Sequence, residues 1–551
     1  VIRPSPARSA TDQWWRTAVV YQIYIRSFAD ADGDGVGDIA GIRSRLPYLS
    51  SLGVDAVWIT PWYPSPMRDG GYDVADYRGI DPLFGTLDDA LALIEDAHAA
   101  GIRVVIDLVP NHTSSAHPWF AQALTSGRSS SARARYVVRD GRGPAGLEPP
   151  NNWHSLFGGP AWSPMPDDGV RPAQWYLHLF DASQPDLDWA SPEVRAEFEA
   201  IVAWWLDRGV DGIRIDVADL LVKDPSLPDL PPLGVPAATP GAHPFSDREG
   251  VHEIYRAWRR IADGHGGGVF CAELNLPLER LVRYLRPDEL HTAFNFDLVH
   301  RPWAVQPLRR SIESTLAAHG GVGAPATWVL GNHDLARPAY RLGLAADGEW
   351  LNPWSRTAPS DQVLGARRAR AAALLELALP GSAYVYMGEE LGLPEVLDLP
   401  AGARQDPTFR RTNGADIGRD GVRVPLPWSG EEPPYGFGPA GSAPWLPQPA
   451  GWGDLAVGRQ EGDADSTLTL YRTALALRRS HPGLRGPRFS WVDDGHPGAL
   501  EFEREAGLRC AVNLDAEPLP LPPGAVVLVR SDGQRAGGAL PRDTAAWYLA
   551  R

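Results

Sequence analysis

Four short segments place acids, histidines and an arginine at the ends of apolar runs: Asp107-Leu108-Val109-Pro110-Asn111-His112, Gly212-Ile213-Arg214-Ile215-Asp216, Ala272-Glu273 and Asn332-His333-Asp334. An apolar run that stops this way reads as a buried strand with a polar group at its end. In a barrel of parallel strands those ends meet on one face. Three acids with histidines and one arginine in a single cleft are the groups that cutting a glycosidic bond requires.

Arg214 and Asp216 are two residues apart, so on a strand they share a side. The cation favours the ionised carboxylate and lowers its pKa, which suits a nucleophile. A structural ion pair at a strand end is the alternative reading. Glu273 follows small and apolar residues, surroundings that raise a carboxyl pKa and suit a general acid. Its alternative is an acid at a helix N-terminus. Asp334 is a third carboxylate, fitted to orient a sugar and support positive charge. His112 and His333 can donate hydrogen bonds to sugar hydroxyls.

The elements that must position these groups alternate along the chain. Strands are expected at 19–28, 56–60, 102–109, 212–217, 268–272, 291–296, 326–330 and 382–387. Helices are expected at 86–100, opened by a Thr86-x-x-Asp89 capping box and stopped by Gly101, at 192–208 and at 251–262. Eight strands separated by helices predict a (β/α)8 barrel. Residues 113–186 break the rhythm, with no helical period, and are read as an inserted domain B. Residues 488–551 alternate apolar and polar and predict a C-terminal antiparallel β-sandwich. That leaves 1–112 and 187–487 for the barrel. The Pro- and Gly-rich stretches at 224–241 and 431–453 read as surface loops.

The 551 residues carry a net charge of −16, with 44% hydrophobic and 22% charged residues. This is a globular composition that disfavours nucleic acid or an anionic membrane as partner. Lys223 is the one lysine. Two distant cysteines, Cys271 and Cys510, form no disulfide framework or metal site. Residues 1–12 are polar, and no apolar run reaches membrane-spanning length. A soluble cytoplasmic protein is expected, a monomer or small homo-oligomer with a small-molecule substrate. Asp30, Asp32, Asp34 and Asp38 alternate through a Gly-rich loop, a spacing like the first half of an EF-hand loop, and predict a structural Ca2+, with Mg2+ as the alternative. No organic cofactor is expected.

The chain resembles the α-amylase family of retaining glycoside hydrolases, in its α-glucosidase and oligo-1,6-glucosidase branch. The likeness runs from Trp14 to the end. Besides the four segments it includes Gly70-Gly71-Tyr72-Asp73, Gln184-Pro185-Asp186-Leu187, Tyr386-Met387-Gly388-Glu389-Glu390 and Gly418-Arg419-Asp420. The resemblance implies Asp216 as nucleophile, Glu273 as acid/base and Asp334 as transition-state stabiliser, the first two ~5–5.5 Å apart. It implies that His112, Arg214 and His333 line the glucose subsite, that Tyr72 stacks under the ring, and that Asp69 and Arg419 close the pocket end. Arg423 is the alternative to Arg419. Phe180 and Gln184 would form part of the wall. The Val36 carbonyl would join the four Asp ligands of the metal.

An exo-acting α-glucosidase of short α-glucosides, with transglucosylation as a second outcome, is therefore expected. A glucosyltransferase or isomerase would use the same acids. Non-catalytic scaffold members of the family lack the acids or carry a membrane helix; here the three acids are present and no such helix is read. The branch's own markers leave α-1,4 and α-1,6 cleavage both open: Val217 follows the nucleophile as in α-1,6 enzymes, while the 423–428 stretch is similar to malto-oligosaccharide enzymes. Asp219 stands where many close relatives have His, and Met387 where they have Gln. Both departures bear on the leaving-group side.

Overall fold

The computed structural model describes residues 13–231, 243–345, 356, 358–492, 496–534 and 538–550. Eight parallel strands form its centre: β1 (Val19–Ile23), β2 (Ala56–Ile59), β3 (Arg103–Leu108), β4 (Gly212–Ile215), β5 (Val269–Ala272), β6 (Thr292–Ala293), β7 (Thr327–Val329) and β8 (Ser382–Tyr386). Neighbours pair in parallel from β1 to β6, β7 pairs with β8, and β8 with β1. A parallel bridge from Asn295 to Trp328 spans β6 and β7. The sheet is thus nearly closed, the barrel expected from the alternating pattern.

Side chains sort by strand parity. Val20, Trp58, Val105, Cys271 and Tyr384 pack together inside the barrel. Tyr21, Ile59, Ile106, Ile213 and Phe270 belong to the larger core shared with the helices. The strands stop earlier than the sequence suggests. Residues 25–27 already turn as a 3-10 helix, and β4 ends at Ile215, leaving Asp216 beyond the ladder. The residues released from pairing are those that build the site.

Thr86 caps the helix Leu87–Ala99, and Asp89 completes the capping box. Gly101, at φ 76°, makes the left-handed turn that ends it. Helices Pro192–Leu206 and Val251–Gly264 precede β4 and β5.

Residues 113–186 contain a three-stranded antiparallel sheet of Val138–Asp140, Gln174–Leu177 and Trp162–Pro164. They also contain an unexpected helix, Pro118–Thr125, started by Pro118 and the His117 cap and burying Phe120 and Ala123. Two turns are too short for a period to register. Toward the C-terminus, Ser490–Trp491, Ala499–Glu503, Leu508–Asn513, Thr544–Leu549 and Val526–Arg530 form a five-stranded antiparallel sheet, in that order. It docks on helix Gln362–Ala378, where buried Trp547 donates to the Leu374 carbonyl at 2.9 Å. Cys271 and Cys510 are free and buried. Residues 1–12 and the part of the expected 224–241 loop from 232 onward lie outside the described residues. Among the described residues no helix is long and apolar enough to cross a membrane.

Candidate active site

β3 and β4 pair in a register that sets Asp107 opposite Arg214. Arg214 is fully buried, its guanidinium 5.0 Å over the Trp58 ring. Its Nη1 donates to Asp107 Oδ1 and to Asp216 Oδ1, both at 2.8 Å, and its Nη2 to Glu273 Oε2 at 2.5 Å. Three acids share one cation, and that changes the electrostatics read from the sequence. Asp216 is not held low by Arg214. Burial pushes its carboxyl well above the usual range, and Glu273 and Asp107 add to the rise against Arg214. Burial likewise lifts Asp107 to about 6. One guanidinium faces three carboxylates, two of them buried, and burial lifts both Asp107 and Asp216.

Val217 adopts φ 37°, rare for a β-branched residue. The bend turns its N–H to Glu273 Oε2 at 3.2 Å, while the next N–H, of Ala218, meets the Glu273 carbonyl at 3.0 Å. The strained residue thus ties the ends of β4 and β5 together, holding Asp216 and Glu273 over the same guanidinium.

A second network closes the other end. Arg419 donates to Asp69 Oδ1 (2.7 Å), Asp334 Oδ1 (2.9 Å) and Asp406 Oδ2 (2.6 Å). Arg423 adds a bond to Asp334 Oδ1 at 2.7 Å. Both arginines therefore reach Asp334, rather than one replacing the other. Burial opposes the charge on Asp334, but His333, Arg419 and Arg423 outweigh it and hold the carboxyl well below the usual range. Gln22 donates to His333 Nδ1 at 2.7 Å, which leaves the proton on Nε2, 3.4 Å from Asp334 Oδ2. Burial depresses His333 strongly and His112 to about 4, so both are neutral donors at pH 7.

Tyr72 stacks on the His333 ring (5.2 Å, 8°) and donates to Asp107 Oδ2 at 2.9 Å. Asp73 accepts from the N–H groups of Arg68 and Asp69, fixing the loop that presents Asp69 and Tyr72. Gln184 Nε2 bonds Asp69 at 3.1 Å and lies 3.1 Å from His112 Nε2, with Phe180 5.1 Å from that ring.

These groups surround one cavity of about 510 Å3. Asp69, Tyr72, His112, Phe180, Asp216, Glu273, Asp334 and Arg419 line it. Gln184, Arg214 and His333 stand directly behind. Sequence reading gave no role to Asp107, Asp406 or Gln22. Asp107 was within reach, because it shares strand parity with the interior Val105. Asp406 and Gln22 carry no local signal.

The acidic loop lies apart from the cavity. Asp30, Asp32 and Asp38 bring one carboxylate oxygen each within 4.8 Å of the others. Asp34 is not in this group; its Oδ1 accepts from the Val36 N–H at 2.8 Å. Burial raises the carboxyls of Asp30 and Asp38, with Asp32 adding to both. Three converging carboxylates, two of them buried, suit a hard divalent cation.

Comparison with known proteins gives the family. The family described as "Alpha amylase, catalytic domain" matches residues 22–486. The chain belongs to the α-amylase family. A "Domain of unknown function (DUF3459)" matches residues 487–547 of this α-amylase family member. It is 38% identical to a probable alpha-glucosidase of Rhizobium meliloti, over 92% of this chain and 90% of that one. It is 33% identical to the oligo-1,6-glucosidase of Parageobacillus thermoglucosidasius, over 90% and 88%. The crystal structure of the alpha-glucosyl transfer enzyme XgtA superposes with a TM-score of 0.82 at 36% identity, covering 98% of this chain and 99% of that one.

Proposed function

We propose that this α-amylase family member is a retaining, exo-acting α-glucosidase that releases glucose from the non-reducing end of short α-glucosides. One observation carries the reading: Asp216 and Glu273 hang on a single guanidinium beside a cavity end sealed by the Asp69–Arg419–Asp334 network. A pair tethered so closely suits retention, since inversion needs room for a water between the carboxyls. A sealed end leaves space for one terminal sugar.

Asp216 attacks the anomeric carbon while Glu273 gives its proton to the leaving oxygen. The C–O bond to the aglycone breaks, and a glucosyl ester forms on Asp216. Glu273, now a carboxylate, takes a proton from water, which displaces the ester and returns α-glucose. Asp334, kept ionised by Arg419 and Arg423, faces the positive charge that develops on the ring. Tyr72 stacks under the ring, and neutral His112 and His333 donate to its hydroxyls.

Similarity to an alpha-glucosyl transfer enzyme supports a second reading, in which a sugar rather than water accepts the glucosyl group. Proton NMR of the protein with maltose, isomaltose, sucrose and trehalose separates the two. Early α-glucose is expected from at least one; isomerised disaccharide without net glucose would favour transfer, and no turnover would overturn both. We also propose a structural Ca2+ held by Asp30, Asp32 and Asp38, with Asp34 and the Val36 carbonyl from the same loop. The ion would brace the loop and play no part in the chemistry. A chelator is then expected to lower the melting temperature; unchanged melting and no bound metal would overturn it.

A further inference from the structure

Asp219 lines the same cavity, on the turn with Val217 and Leu220 that follows β4, and is not among the acids that Arg419 holds. It is nearly buried, at 9% exposure, and the Ser246 hydroxyl donates to its Oδ2 at 2.5 Å. Asp247 and Glu273, the acids that act on it, are each paired with an arginine, Arg280 and Arg214 respectively. Val217 and Leu220, on the same turn, are apolar parts of the wall, which also carries Phe296, Asn275 and Thr408, while Phe157 lies under Arg419, 5.0 Å from its guanidinium.

Among the described residues two arginines line the cavity, Arg356 and Arg419, and both are engaged elsewhere. Arg419 holds three acids at the sealed end. Arg356 donates to Glu395 Oε1 at 2.7 Å and to the Asp334 carbonyl at 3.1 Å.

We propose that Asp219 selects the charge of the leaving group, so that the open side of the cavity accepts uncharged or cationic aglycones and rejects anionic ones, phosphorylated sugars included. This rests on the α-glucosidase reading above. An anionic aglycone there meets a like charge across a low-dielectric wall, and the arginines among the described lining residues are already committed to acids. Asp219 is a specificity-determining residue in this account. It takes no part in bond making.

The test uses two aryl α-D-glucosides of nearly equal shape, 3-carboxamido-4-nitrophenyl and 3-carboxy-4-nitrophenyl, at pH 7.5. The wild type is expected to favour the carboxamide by about tenfold or more in kcat/KM, the order a single like charge produces at this range. Asp219→Asn should narrow that ratio by about tenfold, and Asp219→Glu should keep it. Ratios within a variant cancel any general loss of activity. A wild-type ratio near one overturns the proposal even if a variant fails to fold, as does an equal ratio in wild type and Asp219→Asn. If neither glucoside is hydrolysed, the α-glucosidase reading itself fails.

Discussion

The two ends of the cavity are built on opposite electrostatic plans. At the sealed end Asp69, Asp334 and Asp406 converge on Arg419, and Arg423 braces Asp334. At the open end Asp219 has a hydroxyl donor and acidic neighbours. Buried charges that are paired and hydrogen-bonded hold one geometry, and breaking them is costly. A lone carboxylate against apolar walls fixes little beyond the sign of charge it tolerates. The sealed end is therefore made to recognise one fixed sugar, and the open end to accept many partners within a charge limit. Between them lies the Arg214 cluster, where three acids share one cation.

The largest effect should come from that middle cluster. Asp216→Asn is expected to reduce turnover by about 10^4-fold or more, as loss of a nucleophile does elsewhere. It should also leave the melting temperature unchanged or higher, because it removes one of three carboxylates crowding Arg214. Near-normal hydrolysis by this variant would end the nucleophile assignment. Next, Arg419→Ala removes a shared cation from three carboxylates at once, leaving Asp334 the bond from Arg423. It should cost about 3–5 kcal/mol in stability by denaturant melts and about 10^2-fold in kcat/KM through misplacement of the sugar. Arg419→Lys should rescue little of this, since one ammonium cannot reproduce a three-way fork. A mild Arg419→Ala phenotype would break the contrast between the two ends.

Sequence patterns reveal the two ends unequally, for a physical reason. Asp216, Glu273 and Asp334 are visible because each terminates a strand, and parallel strand ends in a barrel meet by topology. The partnership of Asp107 with Arg214 depends on the register between β3 and β4, which local pattern does not state although parity hints at it. The direction of the Asp216 shift was misread for the same reason: an i, i+2 pattern shows Arg214 but hides burial and the second and third acids. At the sealed end Asp406, Asp334 and Asp69 stand 13, 85 and 350 residues from Arg419. Asp406 has no motif of its own, and only the folded chain brings it to Arg419. Helix Pro118–Thr125 escaped notice because eight residues carry too little period.

The smallest expected effects give the sharpest test, because the same chemical change should act with opposite sign at the two ends. Burial lifts Asp219 to about 6, above the ~3.9 of an unfolded Asp. The native state therefore holds the extra proton between those values. Its stability is fullest below pH ~4 and declines as pH rises through about 6, by about 3 kcal/mol in total. Asp219→Asn removes that decline, so the variant should match wild type below pH ~4 and exceed it at pH 8 by up to about 3 kcal/mol. Asp406 behaves the other way. Burial works against its charge, but Arg419 and Arg423 outweigh it and hold the carboxyl well below the usual range. Its contribution is present above the unfolded pKa and is lost as pH falls through the depressed native value. Asp406→Asn should be less stable than wild type at pH 7 by about 3 kcal/mol, with the deficit shrinking once the pH drops below ~4. Urea melts of the two variants from pH 4 to pH 8 should yield difference curves of opposite sign at neutral pH. Two curves of the same sign would mean that the open end, like the sealed one, is held by paired charge.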